Sequence, residues 1–150
     1  MSPDATSTTR QSTADHRLVG TADPAVGHAF LRAYAARDWD SLRALFHADV
    51  TWDLPGRGPI SGRAAGVEAV IDRVRRIVDG GTRTQLLHVL TGSSGVALLL
   101  HNTGRKADGR LLDEHLITLL RTREDQIAAV ETYLSDIEMM QAFFAEPPTT

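Results

Sequence analysis

Apolar residues recur along this chain with two periods, and the dominant period changes near its middle. Early on the spacing is helical. Val26, Phe30, Ala33, Tyr34 and Arg37 fall on one stripe, with Pro24 suited to the first turn of a helix and Asp23 to its cap. Asp38 can cap a second, short helix whose apolar face is Trp39, Leu42, Leu45 and Phe46. A third helix spans Ala64 to Val78. Its Val67, Val70, Ile71, Val74, Ile77 and Val78 repeat at helical intervals, while Glu68, Asp72, Arg73, Arg75 and Arg76 are expected to face away. Gly80-Gly81 stops it.

The remaining segments alternate with a period of two, the mark of half-buried strands. Val50 to Leu54 is the first, ended by Pro55-Gly56. Four more follow at Thr84–Thr91, Val96–Thr103, Leu111–Arg121 and Ile127–Leu134. Between them lie a Gly92-Ser93-Ser94-Gly95 turn, a loop from Gly104 to Gly109 and a tight turn at Arg123-Glu124-Asp125. Asp136 can cap a last helix carrying Ile137, Met140 and Phe144, which Pro147-Pro148 terminates. The predicted order is α-α-β-α-β-β-β-β-α. Helices first and a meander later define an α+β domain, with helices on one face of a curved antiparallel sheet. Residues 1–23, rich in Ser, Thr, Ala and Asp, read as a flexible arm in which Leu18-Val19 is the one apolar pair. The single domain is expected over 24–146, with a tail at 147–150.

Composition narrows the function more by exclusion than by assignment. An apolar fraction of 42% suffices for a packed core, and the formal net charge is −3. Lys106 is the only lysine, and the arginines are scattered among acids, so no basic patch suggests nucleic acid. The chain has no cysteine, which removes disulfides, thiolate metal sites and cysteine nucleophiles. No secretory leader or membrane-length apolar run is visible, so a cytoplasmic protein without membrane partners is expected. His88, His101 and His115 lie on three different strands without i, i+4 or His-x-His spacing, so no metal is expected. RGPISGR lacks the spacing of either nucleotide-binding glycine motif.

Four stretches, FLRAYAARDWDSLRALF, HADVTWDLPG, PISGRAAGVEAV and REDQIAAVETYLSD, together with the element order, resemble the nuclear-transport-factor-2-like superfamily. The nearest branch is the SnoaL-like and ketosteroid-isomerase-like one, and the resemblance covers about residues 24–145. It implies a cone-shaped curved antiparallel sheet with helices packed on its concave side. It also implies an apolar pocket at the open end and frequent homodimers through the outer sheet face. Such folds host isomerases, epoxide hydrolases, cyclases, dehydratases and plain binders. The isomerase-like members' base falls at Leu54, beside Asp53. Their first-helix tyrosine falls at Phe30 and their protonated aspartate near Leu116, so all three positions are apolar here. The epoxide-hydrolase-like aspartate of the final strand falls near Thr132, and no Arg-x-Asp pair accompanies it. SnoaL-like cyclases need only one acid/base carboxylate.

Two carboxylates are candidates for that role. If Leu116 and Leu120 face the pocket, Glu114 and Thr118 do so too, and burial would poise Glu114 as an acid/base. Asp53 faces away from Trp52 and Leu54 by strict alternation, unless a bulge before Pro55 turns it inward. Trp52, Tyr34, Leu54, Phe30, Asn102, Leu116, Thr118, Glu131 and Tyr133 are the expected pocket residues. The expected activity is cofactor-free acid/base chemistry on a hydrophobic, ring-bearing small molecule such as a polyketide or terpenoid. The alternative is a non-catalytic binder of such ligands or a dimeric accessory protein.

Overall fold

The computed structural model describes residues 21–147. The expected arm, with Leu18 and Val19, and the last three residues of the expected tail lie outside the described residues. Ala22 already belongs to the domain: its N–H donates to the Gly92 carbonyl at 3.0 Å, and its side chain packs against the core.

The elements are α1 (Ala25–Ala36), α2 (Trp39–Leu45), β1 (Phe46–Leu54), β2 (Gly62–Ala65), α3 (Val67–Asp79), β3 (Arg83–Thr91), β4 (Gly95–Arg105), β5 (Leu111–Arg123), β6 (Gln126–Leu134) and α4 (Ile137–Phe144). The strands form one open sheet in the order β2-β1-β6-β5-β4-β3. The α+β class is as the sequence predicts, and two details differ. Strand β2 takes the first residues assigned to the third helix and pairs with β1 at Thr51–Leu54. Strand β1 pairs in parallel with β6, so the sheet is mixed, all its other pairings being antiparallel.

The caps form as their chemistry suggests. The Asp38 carboxylate accepts the Ser41 N–H at 3.1 Å, and that of Asp136 accepts the Met139 N–H at 2.9 Å. The β5–β6 hairpin turns through Glu124 and Asp125, both left-handed with φ of 54° and 64°, which matches the right-handed twist of the flanking strands.

Alternation then decides what is inside. Strand β4 buries Val96, Leu98, Leu100 and Asn102, and β5 buries Leu112, Glu114, Leu116, Thr118 and Leu120. Strand β1 adds Val50, Trp52 and Leu54. Register shifts interrupt β3 between Leu86 and His88, and the β5–β6 ladder between Arg121 and Thr122. Such bulges bend strands and so curve the sheet around the helices. Helix α1 sits close on β4: a Cβ added at Gly27 would lie 2.9 Å from Leu98 Cδ2. Helix α3 buries Val70, Ile71, Val74 and Ile77, and α4 buries Met140 and Phe143.

Helix α4 is clasped at its C-terminal end. One Arg110 nitrogen, Nη1, donates to the carbonyls of Ala142, Phe143 and Ala145 at 2.8, 3.2 and 2.6 Å, satisfying acceptors that the helix leaves open. Lys106 Nζ donates to the Gly80 carbonyl at 2.7 Å and lies 4.6 Å from the Phe143 ring centroid. Gly104 makes this closure possible. A Cβ there would stand 2.7 Å from the fully buried Phe143 ring and 3.0 Å from the Gly81 carbonyl oxygen. Gly104→Ala is therefore expected to destabilise the protein by about 1–3 kcal/mol. The check is the urea midpoint, and an unchanged midpoint would show that α4 yields freely.

Candidate active site

The inner face of the sheet is built in rows set by strand register. In the first, Thr84 of β3 lies opposite Asn102 of β4, and Asn102 opposite Glu114 of β5. The second is apolar: Leu86, Leu100, Leu116 and Leu134 are successive partners across β3, β4, β5 and β6. The third places Leu98, Thr118 and Thr132 side by side. Polar groups thus occupy two rows with a wall of leucine between them.

The two polar rows differ in whether their hydrogen bonds are made. In the third row the Trp52 indole N–H donates to Thr132 Oγ1 at 3.0 Å, and the Thr118 and Thr132 hydroxyls lie 3.3 Å apart. Arg73, buried at 7% exposure, closes this group from above. It donates to the Trp52 carbonyl at 2.7 Å and stands 5.5 Å from the indole centroid. Trp52 and Thr118 are therefore held by the protein's own groups.

In the first row, Thr84 Oγ1 donates to Asn102 Oδ1 at 2.7 Å. Glu114 is only 2% exposed, and its Oε2 has no hydrogen-bond partner. Burial, with a smaller contribution from the Asp136 carboxylate, pushes Glu114 up from 4.5 to about 7. A carboxyl in this condition can be protonated or ionised near neutral pH, as a proton-transfer group requires.

A cleft of about 250 Å³ meets this row at Thr84, with neither Asn102 nor Glu114 on its wall. It is lined by Leu31, Tyr34 and Ala35 of α1, Val78 of α3, Thr82 and, on β3, Thr84 and Leu86. Thr82 Oγ1 is buried without a partner. Tyr34 is half-buried and raised by burial, against which its hydrogen bond with Thr84 acts. A larger cleft of about 410 Å³ lies among β1, β2, β6 and the start of α4, with Leu54, Thr132, Leu134, Ile137, Asp53, Arg63, Glu131 and Tyr133 on its wall.

The expected site residues thus separate into groups. Glu114 and Asn102 come together as direct cross-strand partners, with Leu116 one inward step along β5 and Tyr34 across the smaller cleft. Phe30 is buried in the aromatic packing of α1, its centroid 6.3 Å from those of Tyr34 and Phe46. Leu54 is buried at the end of β1. Asp53 does not turn inward: the pairs Trp52–Ala64, Asp53–Arg63 and Leu54–Gly62 run without a bulge. Its two oxygens accept from Arg63 Nε and Nη2, both at 2.8 Å, and this holds its carboxyl below the usual range. Glu131 and Tyr133 share a face as expected, but it is the outer one. The β6 interruption next to Ala128 changes the phase, so Ile127 points inward, followed by Val130 and Thr132. Tyr133 is 54% exposed and donates to Glu131 at 2.7 Å.

Sequence reasoning missed Thr84, Thr132 and Arg73. Hydroxyls on alternating strands carry no signal until register places them beside a partner. Arg73 did carry one: it falls within the stripe of Val70, Val74 and Ile77 at spacings of three, one and four. The histidines stand elsewhere. His101 and His115 stack at 4.5 Å, with His101 Nε2 2.6 Å from Asp113. Among the described residues no group of three His, Asp or Glu could hold a metal ion, and no helix is long and apolar enough to cross a membrane.

Helices packed on a curved, open, six-stranded mixed sheet, with two inward polar rows separated by leucine, define an α+β domain. Comparison with known proteins agrees. The SnoaL-like domain family matches residues 28–130, and the chain belongs to that family. Bal32a from a soil-derived mobile gene cassette is similar at 24% identity and a TM-score of 0.72, covering 79% of this chain and 95% of its own. A cystatin-like-fold protein of unknown function from Xanthomonas campestris shares 22% identity at a TM-score of 0.73, with 81% and 96% covered. A candidate ketosteroid isomerase from Kribbella flavida shares 17% at 0.62, with 84% and 82% covered. At these identities the likeness shows the fold alone. A search of curated proteins finds no significant match.

The protonation state of Glu114 has a stability signature. Its pKa is higher folded than unfolded, so its contribution to stability is complete below about pH 4.5 and is lost as pH rises to about 7. Glu114→Gln removes this dependence. Relative to wild type, the variant should gain about 3 kcal/mol between pH 4 and pH 8. Chemical denaturation at both pH values checks it; an equal difference at the two would mean that Glu114 is solvated.

Proposed function

We propose that this protein is a cofactor-independent acid/base enzyme of the isomerase or cyclase type, acting on an apolar, ring-bearing small molecule through Glu114. The observation that carries this reading is the buried Glu114 oxygen without a partner, in a chain whose other inward polar row is satisfied internally. An unpaired buried acceptor costs about 1–3 kcal/mol. A bound substrate that supplies its partner recovers that energy at the place where the proton moves. The carboxylate takes a proton from a carbon of the substrate, and the carboxylic acid so formed returns it at another position, with no net change in the enzyme. Leu100, Leu116 and Leu134 fix the substrate by shape rather than by hydrogen bonds. The candidate isomerases from Rhodopseudomonas palustris and Kribbella flavida among the structural neighbours support the class, without bearing on the substrate.

A ligand-binding protein without turnover is the second reading, favoured by the apolar residues at Phe30, Leu54 and Leu116. A thermal-shift screen with apolar ring ketones, polycyclic aromatics and terpenoid epoxides separates the two. A ligand at about 100 times its Kd stabilises the fold by roughly 2.7 kcal/mol. Each hit is then followed for product. The enzyme reading expects conversion, and Glu114→Gln should lower turnover on the order of 10²-fold with binding retained. Binding of every hit without conversion would favour the binder.

A homodimer through the outer sheet face accompanies either reading. Leu99, Ile117 and Leu119 are only half-buried there, beside the exposed Tyr133. Light scattering should give about twice the 16.3 kDa chain mass at micromolar concentration; a single-chain mass would remove the dimer.

A further inference from the structure

The outer face of the sheet carries a pit at the end where β3 turns into β4. Leu90, Ala97 and Leu119 are successive partners across β3, β4 and β5, on the side away from the buried Glu114. Neighbouring strands lie about 4.8 Å apart, so the two leucines stand roughly 10 Å from each other with only the alanine methyl between them. The result is an apolar cleft of about 280 Å³ that Gly92, Gly95 and Arg121 border at the hairpin end. Leu90 on its wall is 53% exposed, an unusual place for so large an apolar side chain.

The chain enters the domain beside this pit. The Ala22 N–H donates to the carbonyl of Gly92, a residue of the pit's wall, at 3.0 Å. Leu90 is two residues from Gly92, roughly 7 Å along the strand. An extended chain covers about 3.5 Å per residue, so Val19 and Leu18, three and four residues before Ala22, reach roughly 10 and 14 Å from that anchor. Leu18-Val19 is the one pair of large apolar neighbours ahead of Ala22. Gly20 follows it directly and accepts the backbone angles that a bend from the outer face toward α1 requires. We propose that Leu18 and Val19 of this chain's own N-terminal segment seat in the pit, with one side chain over Ala97 between Leu90 and Leu119. Burial of the pair against Leu90 and Leu119 supplies the driving force. The short tether to Ala22 makes the contact intramolecular, at a high effective concentration. The centre of the face, at Leu99 and Ile117, is left to a second copy, so the inference depends neither on the dimer nor on the chemistry of Glu114.

Limited trypsin digestion of the full chain tests this. Ahead of Ala22 the chain offers trypsin two bonds, after Arg10 and after Arg17, and the second is the bond to Leu18. Cleavage follows the population in which a bond is undocked. Leu90→Ser alters neither cleavage sequence; it should raise the rate after Arg17 on the order of tenfold and leave the rate after Arg10 in place. Leu111 is exposed to the same 53% at the other end of β5, and Leu111→Ser should change neither rate. Dilution of the wild type from high to low micromolar concentration should also leave the Arg17 rate unchanged. A rate after Arg17 that Leu90→Ser does not raise overturns the proposal. So does an equal rise in Leu111→Ser, which would trace the effect to general loosening of the sheet. Protection lost on dilution overturns it too, and assigns the pit to a second copy.

Discussion

The structure depends on the two-residue period of β5. Eleven residues, Leu111 to Arg121, run without interruption along its ladder with β4, and every even position from Leu112 to Leu120 points inward. Leu112 and Leu120 are almost completely buried and Leu116 nearly so. A one-residue slip would bring all three to the outer face and carry Asp113, His115 and Arg121 into the core. Burying a leucine side chain is worth roughly 1.5–3 kcal/mol, so the three together outweigh the roughly 3 kcal/mol that an ionised Glu114 costs. The leucines win, and the carboxyl is carried inside with them. Its raised pKa follows from this enforced burial and needs no dedicated charge partner.

The environment that keeps Glu114 dry is assembled from far along the chain. The Asp113 amide faces Met139 Sδ of α4, and α4 is fixed at its C-terminus by Arg110, which precedes β5 directly. Lys106 ties the same end to the Gly80 carbonyl at the close of α3. These contacts bring the loop between β4 and β5, the end of α3 and the last helix into one closure over the end of the sheet. Asp136 caps that helix and lies near enough to Glu114 to add to the rise in its pKa. Local helix capping and the electrostatics of the candidate base are thus one arrangement.

How much of this was legible in the sequence follows from the range of each signal. Strand alternation is local, so the inward direction of Glu114, Asn102 and Thr118 and the outward direction of Asp53 could be read directly. The helix caps at Asp38 and Asp136 were legible for the same reason. A bulge is not local. The interruption beside Ala128 depends on what β5 offers across the ladder, and it moved Glu131 and Tyr133 to the outer face. Strand β2 has four residues, Gly-Arg-Ala-Ala, too few and too small to show a period. The parallel contact of β1 with β6 joins segments far apart in the chain, and nothing in either one names the other. Arg73 was misplaced because a charge was taken to mean solvent, although its spacing already put it in the stripe.

The apolar residues at Phe30, Leu54 and Leu116 bear on where a substrate would sit. The resemblance puts an acidic group of the isomerase-like members near Leu116, whereas this chain carries its buried carboxyl at Glu114. On one strand face these are successive inward positions, about 7 Å apart along the strand. The displacement runs toward α4, since Leu112, the next inward residue that way, pairs with Gly104 beneath Phe143. Phe30, Phe46 and Leu54 are buried within the core cluster. A substrate engaging Glu114 would therefore sit by the α4 end of the sheet, between the leucine row and the Tyr34–Thr84 cleft. The apolar positions are then compatible with the proposed acid/base chemistry, because the neighbouring inward position of the same strand face carries a buried carboxyl, Glu114.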